Sequence, residues 1–409
     1  MRDSVFLSRF SVSAFPPFQL LRYSRKMAIV KTLLTLALAL STAVANGSSI
    51  AAPQPYVNYS TVTGYFLQDE AGTDPSTFDY TAVNFGLLNR TYDADSPQFT
   101  KTLTQWERFY RQVEYLNKNG KRHGVEYKVL FLGRHGEGWH NAAESYYGTP
   151  AWNCYWAELT GNGTASWSDA HLTTKGIAQA QVAHDFWQSR FKLQRMHAPD
   201  AYFVSPLTRC LQTINTTFST LALPHGAAPY EPLVLEHLRE SISIHTCDRR
   251  SNKTAIQQAW PQYRIEKGFA ECDELWNGVT GESDSSQEVR SLEALNQIWK
   301  HVDGARRDPW GRKKKDEALF ISVTSHSGEI ASILEVVGHR EFGLNTGAVI
   351  PVLVKAQTLK TAPTPTTTQP WQTSLHCTAP PVTSVTAGCV CASSAAPVTT
   401  PLVATGGCQ

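Results

Sequence analysis

The sequence lacks an apolar run of bilayer length, and it lacks a strong net charge. The apolar run over residues 33–40 is far shorter than the roughly 20 residues of a membrane-spanning helix, so we expect no permanent membrane anchor. A net charge of +2 gives no general support for binding to nucleic acid. With 42% hydrophobic and 11% aromatic residues, the composition is that of an ordinary soluble globular protein with ample core.

The cysteines do not have the spacing of a zinc site. His245, Cys247 and Asp248 are close in sequence, but no second cluster accompanies them, so we expect no metal and no other cofactor. An even number of cysteines in an exported chain favours disulfides, although the sequence leaves the pairing open. The eight cysteines are Cys154, Cys210, Cys247, Cys272, Cys377, Cys389, Cys391 and Cys408.

The N-terminal segment predicts export. Lys31, an apolar run and the small residues at positions 43–45 follow Met27 in the order of a secretory signal peptide. We therefore predict an uncertain leader over residues 1–26, a signal peptide over residues 27–45, and a secreted or cell-wall protein. Five glycosylation triplets agree with this location, at Asn58, Asn89, Asn162, Asn215 and Asn252.

Composition divides the rest of the chain into three parts. Residues 46–126 carry aromatic stretches and one helical pattern, Thr102 to Leu116, and are predicted to be an extension that packs on the next domain. Residues 127–355 alternate strand and helix patterns, which predicts an α/β domain with a mostly parallel central sheet. Residues 356–409 are rich in Thr, Pro, Ser and Ala, which predicts a disordered tail. The alternatives for its cysteines are a small disulfide-bonded knot or contacts with another chain.

Four apolar strand patterns each end in residues suited to phosphate chemistry. Ligands of open α/β sheets bind beyond the carboxyl ends of the strands, so these residues are expected to converge on one crevice. Arginine forks match phosphate oxygens, and a neutral imidazole can attack phosphorus. The segments are Tyr127–Leu132 with Arg134, His135 and Gly136; Ala201–Val204 with Arg209; Leu319–Thr324 with His326; and Pro232–Leu235 with Glu240.

His135 is the predicted nucleophile of a phosphoryl transfer. Its second ring nitrogen is expected to donate to a backbone carbonyl, most simply that of Gly136 or a neighbour, which fixes the attacking tautomer. Two arginines and a second histidine, expected to be cationic, would stabilise the charge on the phosphoryl oxygens. The leaving group needs a proton, which we assign to Glu240. Glu137 and Glu236 are competing proton donors, and helix capping is the structural alternative for the assigned donor.

These motifs resemble the histidine phosphatase superfamily, also called phosphoglycerate mutase-like, over roughly residues 127–354. Glu137 to Trp139 differ from the acid-phosphatase pattern, so the resemblance is to the mutase-type branch, and residues 139–173 are similar to a fungal subgroup. The family implies a three-layer sandwich with helices on both faces of the sheet and insertions over the strand ends. The motifs are Arg134-His135-Gly136 with Asn141, Leu172–Gly176 with Gln179, Ser205–Arg209 with Thr213, Leu238-Arg239-Glu240, and Ser325–Gly328.

The resemblance also implies a role for each residue that matches a motif. It implies a phosphohistidine intermediate on the nucleophile and no metal. The implied roles are His135 as nucleophile, Arg134, Arg209, His326 and Asn141 as phosphate contacts, and Glu240 as proton donor.

Substrate choice is predicted to reside in the insertions. Arg249 and Arg250 are candidates to bind a second phosphate or carboxylate of the substrate, with an ordinary surface pair as the alternative. The basic cluster over residues 306–315 is interpreted as a solvated loop, with the gathering of anionic substrate as the alternative. Four tryptophans are candidates for stacking on the substrate or for packing, namely Trp139, Trp152, Trp156 and Trp167.

The predicted function is hydrolysis of a small-molecule phosphomonoester without a metal. An exported enzyme has no dependable supply of the bisphosphate primer that mutases of the family need, which favours hydrolysis. A phosphomutase is the alternative. A non-catalytic phosphate-binding protein is the second alternative, and it is disfavoured because every catalytic position is filled.

Overall fold

The computed structural model describes residues 56–304, 318–361, 367–381, 388–392 and 395–405. The predicted leader, the signal peptide and the basic cluster over residues 306–315 lie outside these ranges. Within them, no helix combines the length and the apolar character needed to cross a membrane.

A seven-stranded sheet forms the centre of the described structure, in the order β1-β8-β2-β7-β3-β4-β5. From β2 to β5 in this order all neighbours are parallel, whereas β8 is antiparallel to both β2 and β1. The predicted, mostly parallel α/β sheet is therefore confirmed. The strands, including the separate pair β6 and β9, are β1 (Tyr56–Thr61), β2 (Val125–Arg134), β3 (Ala201–Val204), β4 (Leu233–Val234), β5 (Arg264–Ile265), β6 (Thr280–Gly281), β7 (Phe320–Ser325), β8 (Val349–Leu359) and β9 (Gln372–Thr373).

Helices cover both faces of this sheet. Successive side chains of a strand point to opposite faces, so Phe131 of β2 packs in one core and Leu132 in the other. The first core also contains residues of α2, α5 and α6, and the second contains residues of α8 and α9. The helices are α1 (Phe99–Thr102), α2 (Gln105–Gly120), α3 (Trp139–Tyr147), α4 (Thr149–Cys154), α5 (Thr174–Gln194), α6 (Thr208–Phe218), α7 (Lys253–Ala259), α8 (Asp284–Gly304) and α9 (Ser327–Val336).

The segment before β2 is more closely integrated than an added extension. β1 extends the sheet by pairing with β8 along its whole length. Helix α2 begins after Thr104, whose hydroxyl accepts from the backbone N–H of Glu107 while that carboxylate accepts from the N–H of Thr104. Trp106 of this helix is fully buried and its ring contacts Phe131 and Phe320. This segment therefore supplies an edge strand and part of the first core.

The C-terminal part differs from the predicted disordered tail. β8 continues to Leu359, past the predicted boundary at residue 356. Beyond it, β9 pairs with β6, and disulfides join Cys154 to Cys389 and Cys377 to Cys391. Cys272 is also disulfide-bonded, whereas Cys210 and Cys247 are buried free thiols. Cross-links attach the described tail residues to the domain, because this composition is too poor in apolar side chains to form a core of its own.

Replacement of Cys154 and Cys389 by serine is expected to lower the free energy of unfolding by about 2–4 kcal/mol, because this bond restricts a long stretch of the unfolded chain. The two cysteines are 235 residues apart. Denaturant unfolding of the oxidised protein measures the change. The matched control replaces Cys377 and Cys391, which are only 14 residues apart, and should cost less. Equal stability of the first variant and the wild type would contradict the prediction.

Candidate active site

The carboxyl ends of β2, β7 and β3 lie side by side, with Arg134 opposite Ser325 in the sheet register. His135 and His326 directly follow the first two of these strands, and their ring centroids are 5.1 Å apart. Arg209 lies in the first turn of α6, which follows β3, and all three side chains are buried. The structure therefore brings the predicted nucleophile and two predicted phosphate contacts into one group.

One N–H group of Arg209 lies between the two imidazoles. Its Nε is 3.3 Å from Nε2 of His135 and 3.2 Å from Nδ1 of His326. A guanidinium only donates hydrogen bonds, so both of these ring nitrogens must present a lone pair to it. The contacts therefore determine the tautomers of both histidines.

His135 has the tautomer that a nucleophile needs. Its Nδ1 lies 2.7 Å from the carbonyl oxygen of Gly136 and must donate to it, as predicted, which leaves the lone pair on Nε2. Burial lowers the pKa of His135 well below its usual value, and the charges of Arg209 and Arg134 lower it further. The imidazole is therefore neutral at physiological pH.

His326 is also neutral, so the prediction of a cationic histidine is wrong. Burial lowers its pKa well below the usual value, and the charge of Arg209 adds to this effect. Since Nδ1 accepts from the arginine, Nε2 carries the proton and donates to the hydroxyl of Ser205 at 2.7 Å. His326 thus contributes a neutral hydrogen-bonding group rather than a charge.

The two arginines keep unpaired donors at the site. Arg134 donates from Nη1 to the carbonyl of Leu344 at 2.6 Å, and Arg209 donates from Nη1 to the carbonyl of Cys247 at 2.7 Å. Nε of Arg134 and Nη2 of Arg209 are buried and have no hydrogen-bond partner among the described residues. Buried donors without acceptors are costly, so this pair indicates a site for the oxygens of an anion.

Glu240 caps α9 and also has the protonation behaviour of a general acid. Its Oε1 accepts from the N–H groups of Ser241 at 2.9 Å and Glu329 at 3.2 Å. Burial raises the pKa of Glu240, and the negative charge of Asp248 raises it further, against the opposing effect of the site arginines. The capping role that we set against catalysis is therefore present, but it occupies only one carboxyl oxygen.

The two competing proton donors are engaged in ion pairs. Glu137 binds Lys175 at 2.6 Å, and Glu236 binds Arg250 at 2.8 Å. Both carboxylates are therefore occupied by structural contacts with basic side chains. Of the three candidate acids, Glu240 alone makes no ion pair with a described residue.

Other motif residues support the loop after β2 instead of contacting the site directly. Asn141, predicted to contact phosphate, accepts at Oδ1 from the N–H of Gly138 at 3.0 Å and so caps α3, which leaves only its Nδ2 for a ligand. The N–H of Gly136 donates to Thr213 at 3.0 Å. A Cβ on Gly136 would lie 2.3 Å from the carbonyl oxygen of Gly176, so the close approach of loop and α5 requires glycine.

The prediction that Arg249 and Arg250 bind a second anion is not supported. Arg250 is 3% exposed, and its donors are engaged by Glu236 and by backbone carbonyls, among them that of Cys272. Arg249 is 6% exposed and donates to the tail carbonyl of Ala404 at 3.2 Å. The surface-pair alternative is equally wrong, because both side chains are buried and hold chain segments that are distant in sequence.

Three of the four tryptophans serve packing. Trp152 and Trp167 are buried together, and Trp156 stacks on Tyr147 with ring centroids 4.0 Å apart. Trp139 is 42% exposed, and Trp156 is half-buried, so Trp139 is the most accessible of the four rings.

Two residues at the site had no assigned role in the sequence-based prediction. The carboxylate of Asp248 lies 3.8 Å from Nη2 of Arg209, and the ring of His140 lies 5.4 Å from that of His135. His140 lies within residues 139–173, which resemble a fungal subgroup, and this resemblance was the one feature of the sequence that could have indicated a role for it. The aspartate is placed by a long insertion whose path the sequence pattern does not predict.

His245, Cys247 and Asp248 bring potential metal-ligand atoms within 4.8 Å of one another. Burial holds the pKa of the Cys247 thiol far above its usual value, and the guanidinium of Arg209 adjoins the carboxylate. A protonated thiol and a neighbouring cation do not fit a metal ion.

The pH dependence of folding is expected to reflect the neutral histidines. The pKa values of His135, His140, His245 and His326 all lie below the ordinary value of 6.5. Below about pH 6.5 the unfolded chain therefore binds protons that these folded histidines exclude, so their contribution to stability falls as pH falls, by at most about 1.4 kcal/mol per pH unit for each histidine. The raised pKa values of Glu158 (about 9) and Glu329 (about 8) contribute with the opposite sign, so a comparison with a histidine variant is needed to isolate the histidine contribution.

Urea unfolding between pH 7.5 and 5 measures this slope. The variant His326→Gln removes one titrating group and should show a smaller slope over the same range. Identical slopes for the variant and the wild type would show that His326 is charged in the folded protein.

Comparisons with known proteins agree with the site. The sequence pattern of the histidine phosphatase superfamily (branch 1) matches residues 130–338. "Probable phosphoglycerate mutase" of Arthroderma benhamiae is 48% identical over 76% of this chain and 89% of that protein. "Phosphomutase-like protein 3" of Candida albicans is 36% identical over 74% of this chain and 82% of that protein. A further "Probable phosphoglycerate mutase", of Saccharomyces cerevisiae, is 31% identical over 61% of this chain and 84% of that protein.

The predicted resemblance to mutase-type members from fungi is thus confirmed. The matched pattern also spans His135, Arg209, Glu240 and His326, the central residues of the site described above. The chain belongs to the histidine phosphatase superfamily (branch 1).

Proposed function

We propose that the protein is a phosphomonoester hydrolase that works without a metal and through a phosphohistidine on His135. The observation that carries this proposal is the orientation of that imidazole. Its Nδ1–H is held by the carbonyl of Gly136, its Nε2 lone pair accepts from the buried Nε–H of Arg209, and the charge of Arg134 also acts on the ring. This arrangement supplies a neutral nucleophile and fixed positive charge at the same point.

In the first step, Nε2 of His135 attacks phosphorus and the bond to the leaving oxygen breaks. Once Nε2 of His135 is bonded to phosphorus, it can no longer accept a hydrogen bond from Arg209. The Nε–H of Arg209 then becomes available to a phosphoryl oxygen. The unpaired donors of the two arginines can take the remaining oxygens. The leaving oxygen receives the proton of Glu240, whose raised pKa favours the acid form.

In the second step, the carboxylate of Glu240 accepts a proton from water, and the hydroxyl oxygen attacks the phosphohistidine. The bond between nitrogen and phosphorus breaks, inorganic phosphate leaves, and His135 and Glu240 return to their starting protonation states. The capped carboxyl remains in place for both steps because α9 holds Oε1.

The described disulfides favour an oxidising compartment, and we propose that the protein is secreted. A mutase of this family needs a phosphorylated primer, which is not dependably supplied outside the cell, so this location favours hydrolysis. A phosphomutase is the second candidate function, because relatives with up to 48% identity are called phosphoglycerate mutases. The substrate of either reaction would be a small phosphomonoester.

Release of phosphate from a chromogenic phosphomonoester in the presence of a chelator tests the proposed function. We expect full activity with the chelator and a phosphorylated protein trapped by rapid quenching, because the nucleophile is a side chain. His135→Ala should lose both signals. Reversible inhibition by the chelator, or activity in His135→Ala, would refute the mechanism. Migration of phosphate within a phosphoglycerate without its release would establish the mutase instead.

Glu240→Gln is expected to lower kcat by about 10²- to 10⁴-fold for an alkyl phosphate, whose leaving group needs a proton. The loss in the first step should be much smaller for an aryl phosphate with an acidic phenol. Since the acid form of Glu240 is the active one, the wild-type rate of phosphorylation should fall as pH rises. The variant should not show this decrease. Glu137→Gln is the matched control and should resemble the wild type in rate and pH profile.

Gly328→Ala is a second probe of the same group. A Cβ there would lie 2.3 Å from Oγ of Ser241 and 2.4 Å from Oε1 of Glu240, so it must displace the hydroxyl and the carboxyl group without removing either. We expect slower phosphorylation by alkyl phosphates and little change in the rate of phosphorylation by the aryl phosphate. Gly343→Ala is the control, since no atom lies within 4 Å of the added methyl group. Unchanged kinetics in Gly328→Ala would argue against a positioned proton donor.

A further inference from the structure

His140 is a third imidazole at the phosphate pocket. It is the second residue of α3, and its ring centroid lies 5.4 Å from that of His135. The side chain is 9% exposed, yet neither ring nitrogen has a hydrogen-bond partner among the described residues, and Nδ1 is completely buried. Buried polar groups normally have partners, so an imidazole left unpaired beside the nucleophile indicates a missing ligand.

The positive charges of two predicted phosphate contacts act on this ring. Burial lowers the pKa of His140 well below its usual value, and the charges of Arg209 and Arg134 lower it further. The ring is therefore neutral, with one N–H to donate.

The surroundings also indicate which nitrogen carries that proton. Nδ1 is enclosed next to Gly138, and a proton there would be a buried donor with no acceptor. A buried lone pair without a partner is less costly than a buried N–H without one. The proton is therefore on Nε2. Unlike Nδ1, this nitrogen is not fully enclosed, so it remains open to a ligand.

We propose that His140 is a further substrate-binding residue, whose Nε2–H donates to a non-bridging oxygen of the phosphoryl group. This inference rests on the proposed function, because it takes the anion in this pocket to be the phosphoryl group of a phosphomonoester. With His140, three histidines and two arginines surround that group. The added donor contacts a charged oxygen in a buried site, where hydrogen bonds are strongest.

Calorimetric titration with inorganic phosphate tests the proposal without relying on turnover. His140→Phe keeps a ring and removes the donor, and we expect phosphate to bind about ten- to a hundredfold more weakly, with a similar loss in kcat/KM. His140→Gln can place an amide N–H near the position of Nε2 and should recover part of both losses. His184→Gln is the matched control, since that half-buried imidazole binds the carbonyl of Thr217, away from the pocket, and should leave both values unchanged.

A purely structural role for His140 would lower the thermal stability of both variants and leave the phosphate affinity of the folded protein unchanged. That result would overturn the proposal. If His140→Phe does not fold, imidazole ¹⁵N NMR of the wild type decides the question. The His140 signals must shift in proportion to phosphate saturation, and unshifted signals at saturation refute the contact.

These experiments separate this inference from the proposed function. A wild-type protein that binds phosphate through His140 but releases none from any phosphomonoester would refute hydrolysis and leave the binding role intact. Normal phosphate affinity in His140→Phe, together with hydrolysis that depends on His135, would refute the binding role and leave hydrolysis intact.

Discussion

The active site depends on one shared hydrogen-bond donor, the Nε–H of Arg209, which lies between Nε2 of His135 and Nδ1 of His326. This contact determines both tautomers and joins three strand ends into one unit. Burial is the main reason why both imidazoles are neutral, and the cation in direct contact adds to this effect because it disfavours a second positive charge. The buried arginine is stabilised in turn by the carbonyl of Cys247 and by the nearby carboxylate of Asp248.

A second group of buried charges holds the segment that carries the proton donor. Arg239 is fully buried and binds Asp273 and Glu236, and Arg290 donates to the backbone carbonyl of Glu240. Breaking one partner of such a pair leaves an uncompensated charge, so these networks constrain the local conformation strongly. Arg250 belongs to the same network, which is why its guanidinium is engaged by the protein and not by a substrate.

The described tail residues contribute to this arrangement from outside the sheet. The bond from Cys154 to Cys389 attaches them to α4, next to the aromatic cluster of Trp152 and Trp167. The carbonyl of Ala404 meets Arg249, the neighbour of Asp248 in the sequence. Segments far apart in sequence thus surround the insertion that supplies the partners of Arg209.

By itself, the sequence determined the sheet strands that carry the site, the convergence of His135, Arg209 and His326, and the bond from His135 to Gly136. These features follow from local periodicity and from the rule that parallel strands end at one edge. Only the tertiary structure decided the neutrality of His326, the pairing of Arg250 and the attachment of the tail. Burial, charge pairing and disulfide connectivity depend on contacts between residues distant in the chain, which no local pattern records.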